Sequence, residues 1–129
     1  MNWQTVDIVE VYEIHKALIK RARTKAGIRD FGLLHSAVER ARATFEGKDL
    51  YPTIFLKAGA LLQSICLNHA FSDGNKRTAW LATKRFLYSN HYHLKSNRME
   101  AADFMVYLDN SHPPLTEISS WLKKHSKKI

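Results

Sequence analysis

The chain has one cysteine, Cys66, so no internal disulfide can hold it together, and a lone thiol in an apolar run reads as a buried group in a reducing cytoplasm. Long hydrophobic runs are missing too. The most apolar stretch, Ile54 to Leu67, is broken by Lys57 and Gln63 and falls short of the ~20 apolar residues that a membrane-spanning helix needs. Residues Met1 to Asp7 have no basic flank followed by an apolar stretch, so nothing there reads as a secretory signal. Repeats, low-complexity tracts and linker-like segments are absent. His91 and His93 stand two apart with no cysteine near them, which matches no zinc spacing. What remains is a soluble, cytoplasmic chain of 129 residues, enough for one domain over 1–129 with a real core.

A hydrophobic share of 45% and a charged share of 25% describe an ordinary globule. The net charge of +8 raises the question of nucleic acid. Its two basic runs, Lys20-Arg21-Arg23-Lys25 and Lys123-Lys124-Lys127-Lys128, have no aromatic residues alternating with them, and direct nucleic-acid binding is not expected. A solvated surface, able to attract an acidic partner segment, is the better reading.

Apolar spacing predicts a first helix over Val6–Ala22, with Val6, Val9, Tyr12, Ile14 and Leu18 inward and His15 as a packing or hydrogen-bonding residue. Gly27-Ile28-Arg29-Asp30 reads as a structured connection in which Arg29 and Asp30 can pair. A second helix follows over Leu33–Phe45, with Leu34, Ala37, Val38 and Ala41 inward and Arg40 and Arg42 outward; residues 46–49 make a polar loop. From Thr53 to Leu67 the residues are apolar almost all round, as in a buried central helix, and Pro52 suits its first turn. Further helices are predicted over Thr78–Tyr88, stopped by a left-handed Asn90, from Ser96 or Asn97 to Leu108, and from about Thr116 with Ile118, Trp121 and Leu122 inward before a basic tail. The expected fold class is all-α, a compact single-domain bundle of about six helices.

The chemistry concentrates in His69-Ala70-Phe71-Ser72-Asp73-Gly74-Asn75-Lys76-Arg77, where the central helix ends and the next begins. A helix N-terminus carries unpaired N–H groups and partial positive charge, and Lys76 and Arg77 add two full charges. Gly74 can take positive φ and let the backbone form a cup of donors suited to phosphate. Asp73 would repel bare phosphate but attract magnesium bridging phosphate oxygens, so it is assigned to metal. Asn75 either caps the helix or donates to phosphate. His69 is the candidate general base for a hydroxyl attacking phosphorus, with the cations neutralising the charge that builds. Phe71 is an anchor that ties the loop to the core.

Each feature alone has a plainer reading: a capping histidine, an Asp-Gly-Asn turn, a solvated cation pair. Their concentration in one inter-helix loop is what points to chemistry. A P-loop is excluded, because Gly74-Asn75-Lys76-Arg77-Thr78 lacks the earlier glycine and follows a helix rather than a strand.

The string His-x-Phe-x-Asp-Gly-Asn-Lys-Arg resembles the central motif of the Fic/Doc family in the form carried by its Doc (death-on-curing) branch. Gly27-Ile28-Arg29-Asp30, Leu33-Leu34, Gly47, Leu50-Tyr51-Pro52-Thr53 and Asn68 resemble its upstream landmarks, and the likeness runs from about His15 to His93. Where AMP-transferring relatives read Gly-Asn-Gly-Arg-x-x-Arg, this chain has Lys76 for the second glycine and Trp80 for the second arginine, which favours the Doc branch. Ala70 departs from a frequent proline, and Ser96 to Glu100 approaches the family's self-inhibitory motif but breaks at Ala101.

The resemblance implies a helical fold whose motif loop binds nucleotide phosphates, with His69 as catalytic base, Asp73 as the magnesium-linked acid and Asn75, Lys76 and Arg77 as phosphate ligands. It implies a flap near residues 46–52 that guides the target. It also implies a bacterial or phage-encoded toxin that moves phosphate from ATP to a Ser/Thr hydroxyl of a translation factor such as elongation factor Tu. A Phd-like antitoxin would cover the active-site groove with a disordered tail. AMP transfer on the same fold is one alternative; a catalytically silent module binding anions or nucleic acid is another.

Overall fold

The computed structural model describes residues 3–23 and 27–129, which form six α-helices and two short two-stranded sheets; Lys25 of the first basic run lies outside them. Helix α1 (Ile8–Ala22) starts later than the apolar spacing predicts, because Asp7 and Glu10 form a capping box: the Asp7 carboxylate accepts from Glu10 N at 2.9 Å. Its inward row is Val11, His15 and Ile19, whereas Val9 is 63% exposed and Tyr12 faces solvent. The polar His15 in the middle of the true stripe is what displaces an apolar count onto the flank.

Helix α2 (Phe31–Glu39) is capped by Asp30, which accepts from Leu33 N at 3.0 Å and so serves the helix rather than pairing with Arg29. The helix does not continue to Phe45. It tightens into a 3-10 turn at Arg40–Arg42 and gives way to strand β1 (Thr44–Phe45), which pairs with β2 (Lys48–Asp49) across the left-handed pair Glu46 and Gly47. Arg40 turns inward, against expectation. It donates from Nε to the Tyr51 hydroxyl at 2.9 Å and from Nη1 to Gln63 Oε1 at 2.6 Å and Ser64 Oγ at 3.0 Å.

Helix α3 (Ile54–Asn68) is the central element, buried almost all round by α2, α4 and α6. Thr53 caps it, accepting from Leu56 N at 3.1 Å, so Pro52 lies before the cap rather than in the first turn. A Cβ added at Gly59 would stand 2.7 Å from Ser119 Oγ, so the close approach of α6 (Leu115–Lys124) requires glycine there. Lys57 is fully buried in this helix. Its ammonium reaches Asp49 Oδ2 at 3.0 Å and the Tyr51 carbonyl at 2.6 Å and lies 4.5 Å from the Trp3 ring centroid.

Helix α4 (Asn75–Ser89) begins three residues before its predicted start, because the loop chemistry continues into its first turn. Asn90 is not left-handed; that conformation falls to His91 at φ 71°. The Asn90 side chain is instead buried, accepting from Gln4 N at 2.7 Å and donating to Phe86 O at 2.7 Å. Strand β3 (Tyr92–Leu94) pairs antiparallel with β4 (Ser126–Lys128), so the predicted basic tail is an ordered strand with Lys127 and Lys128 outward. Helix α5 (Arg98–Ser111), capped by Asn97, places Phe104, Met105 and Leu108 inward, and Trp121 of α6 stacks on Phe104 at 4.0 Å. Among the described residues no helix is long and apolar enough to cross a membrane.

Removing one partner of a buried ion pair leaves an uncompensated charge. Asp49→Ala is therefore expected to lower the urea midpoint by an amount worth about 3 kcal/mol, and an unchanged midpoint would contradict this account of Lys57.

Candidate active site

The loop between α3 and α4 is built on its own backbone. α3 ends with His69 in the left-handed conformation (φ 51°, ψ 45°), which turns the chain out of the helix and leaves the imidazole exposed. The next three residues run beside the 27–30 segment. Ala70 O accepts from Arg29 N at 2.7 Å and Asp30 N at 3.1 Å, Ile28 and Phe71 form an antiparallel bridge, and Ser72 N donates to Gly27 O at 3.1 Å. The connection expected from Gly27–Asp30 is thus structured, and its partner is the motif loop.

Phe71 is buried, as its anchoring role requires, with its ring stacked on His15 at 3.7 Å. Asn75 closes the loop: its Oδ1 accepts from Phe71 N at 3.1 Å and its Nδ2 donates to Phe71 O at 3.0 Å. Of the two roles the sequence leaves open for Asn75, this contact is neither; the amide clamps a peptide four residues back. Gly74 takes φ 76°, and its N–H donates to Asp73 Oδ1 at 2.7 Å.

The first intrahelical bond of α4 runs from Thr78 N to Gly74 O at 2.9 Å, and no side chain caps the helix. The N–H groups of Asn75, Lys76 and Arg77 therefore precede the helical ladder, with the positive end of the helix dipole behind them. The Lys76 ammonium lies 3.4 Å from Asp109 Oδ2 of α5, and both Lys76 and Arg77 are exposed. These two cations line a cavity of about 600 Å³ between α4, α5, β3 and the end of α1, together with Arg21, Lys84, Lys95 and Arg98. Trp80 and Met105 supply apolar wall, and none of the lining residues is acidic. His69 and Asp73 stand on the loop beside this cavity and do not line it.

Beneath the loop, His15 is buried with Nδ1 3.1 Å from Thr78 Oγ1 and Nε2 without a partner. Burial pushes its pKa below the ordinary value, with the charge of Asp73 pulling the other way. Burial, reinforced by Asp109 and opposed by Lys76, pushes the Cys66 thiol up to about 11, so it stays protonated at neutral pH. Asp109 is the residue of this neighbourhood that sequence reading misses. It lies four residues beyond the buried, cavity-lining Met105, so it follows from the inward face of α5 once that face is known.

As to a metal, among the described residues no group of three His, Cys, Asp or Glu side chains could hold one. The single carboxylate Asp73 beside an open amide cradle fits an ion that arrives already bound to phosphate oxygens.

The depressed His15 value has a consequence for stability. The unfolded chain takes a proton at the ordinary value of 6.5 while the folded chain resists, so stability is full above that pH and is lost as pH falls through it. In thermal melts, subtracting the pH profile of His15→Phe from that of the wild type should leave this loss below pH 6.5; parallel profiles would contradict it.

The model of the family described as "Fic/DOC family" matches residues 5–87, from before α1 to near the end of α4. A relative named Toxin Doc, from Mycolicibacterium smegmatis, is 47% identical over 93 residues. The match covers 72% of this chain and 65% of the relative, so the chain spans less than two thirds of that protein's length. The helical architecture, the clamped loop at the head of α4 and the family match over most of the chain together make this protein a member of the Fic/Doc family.

Proposed function

We propose that this chain is a Doc-like toxin that transfers the γ-phosphate of Mg-ATP to a Ser/Thr hydroxyl of a translation factor, with elongation factor Tu as the first target to try. The observation that carries the reading is the open, uncapped N-terminus of α4, flanked by Lys76 and Arg77 and facing a loop whose one exposed imidazole is His69. The amides of residues 75–77 bind phosphate oxygens, and the two cations offset charge on the transferring group. His69 takes the proton of the attacking hydroxyl as the bond between the γ-phosphorus and the β,γ-bridging oxygen breaks and ADP leaves. Asp73 holds the magnesium side of the nucleotide, whose ion neutralises phosphate charge when bound. The relative's name, Toxin Doc, supports the toxin assignment.

A toxin needs a partner that silences it. The cavity beside the cradle continues into a groove between α1 and α4, floored by Ile14, Ala17, Leu18 and Leu81 and edged by Arg21, Lys84 and Arg85. An apolar floor with cationic edges suits an acidic amphipathic tail of a Phd-like antitoxin.

The chemistry is tested by incubating the protein and magnesium with translation factors and either γ- or α-labelled ATP. Label from the γ position should appear on one factor, and His69→Ala should reduce it by about 10²- to 10⁴-fold. Label from the α position would make the protein an AMP transferase, and no label from either would remove the transferase reading.

A further inference from the structure

One buried group remains unused by the proposed mechanism. His15 sits on α1, yet its ring stacks on the motif loop and bonds to the first turn of α4. The ring stacks on Phe71 at 3.7 Å and 11°, Nδ1 meets Thr78 Oγ1 at 3.1 Å, and Cε1 lies 3.7 Å from where a Cβ on Gly74 would stand. Ile19 and Leu18 approach the same point at 3.3 and 3.4 Å. One imidazole thus touches the loop at its anchor and the helix one turn in, and it borders the space a side chain at Gly74 would need.

As a filler, histidine is a poor choice here. Its Nε2 is buried without a partner, a desolvation cost that an apolar ring of similar size avoids. Packing alone therefore does not explain an imidazole at this place. What the imidazole has and a phenyl ring lacks is the bond to Thr78, the first residue of α4 whose N–H joins the helical ladder. Fixing Thr78 fixes the rotation of the first turn of α4, and so the directions in which the amides of residues 75–77 point.

We infer that His15 is a positioning residue for the proposed transfer, holding the phosphate cradle in register through Thr78 while its ring supports Phe71 and Gly74 from below. The inference rests on the proposed use of that cradle for Mg-ATP. Because misplacement of a reacting group by about 1 Å can cost 10²-fold, a released first turn should weaken function out of proportion to its effect on folding.

The full-length chain is compared with His15→Phe, Thr78→Val and the double variant, using urea denaturation for stability and calorimetry for Mg-ATP binding. His15→Phe keeps the stacked ring and exchanges one buried orphan, Nε2, for another, the Thr78 hydroxyl, so its stability should stay near that of the wild type while its Mg-ATP affinity falls about tenfold or more. Thr78→Val should show the same loss and the double variant no further loss, since both break one contact. Thr78→Ser, which keeps the hydroxyl, should restore most of the affinity. Wild-type affinity in His15→Phe, losses that add in the double variant, or affinity that merely follows stability would each overturn the inference.

If the wild type binds no Mg-ATP, the proposed function falls first. The positioning role then stands or falls on hydrogen exchange at the Thr78 amide, which is bonded to Gly74 O: faster exchange in His15→Phe supports it, and unchanged exchange overturns it.

Discussion

The motif loop keeps one shape because one of its residues is buried. Phe71 is held on every side: by the His15 ring beneath it, by the Asn75 amide on both its N–H and its carbonyl, and by the 27–30 segment alongside. With that residue fixed, the polar neighbours have nowhere to go but outward, and His69, Ser72 and Asp73 are exposed. The left-handed residues at its two ends, His69 and Gly74, close α3 and open α4 only five positions apart in the chain. A loop rich in charge and glycine would otherwise sample many conformations, and the conformational entropy lost in ordering it is offset by burial of a single aromatic ring.

Charge is distributed to match. Two cations, Lys57 and Arg40, are drawn into the junction of α2 and α3, and both spend themselves on Tyr51, one on its carbonyl and the other on its hydroxyl. That clasp fastens the β1–β2 hairpin to the bundle. Six others, Arg21, Lys76, Arg77, Lys84, Lys95 and Arg98, crowd one cavity that has no acidic lining residue. Like charges gathered this way repel one another, and an anionic occupant relieves the repulsion. The exposed Lys76–Asp109 pair at 3.4 Å is weak enough to yield to a phosphate. Six of the twenty Lys and Arg side chains thus line this one cavity.

Much of this is legible in the sequence, for identifiable reasons. Helix α3 reads as buried because Phe55, Leu56, Ala58, Ala60, Leu61, Leu62, Ile65 and Cys66 are apolar almost all round it, and the motif loop reads as chemistry because six functional groups fall between two helical patterns. What escapes reading is set by contacts distant in the chain. Nothing local stops α2 before Thr44; pairing with Lys48–Asp49 and the inward pull on Arg40 do. The basic tail becomes a strand only because β3 offers it an edge. Asn75 has two ordinary roles available at a helix start and takes a third, because the loop folds back to present the Phe71 peptide. The inward stripe of α1 is hidden by His15, a polar residue in a core position.

The account stands on the amides at the head of α4 being the place where phosphate binds. Amide resonances of the isotopically labelled protein, followed while Mg-ATP is titrated in, test this directly. The largest shifts are predicted at Asn75, Lys76 and Arg77, with the His69 ring responding at the same concentrations. Shifts confined to other surfaces, with those three amides unmoved, would contradict it.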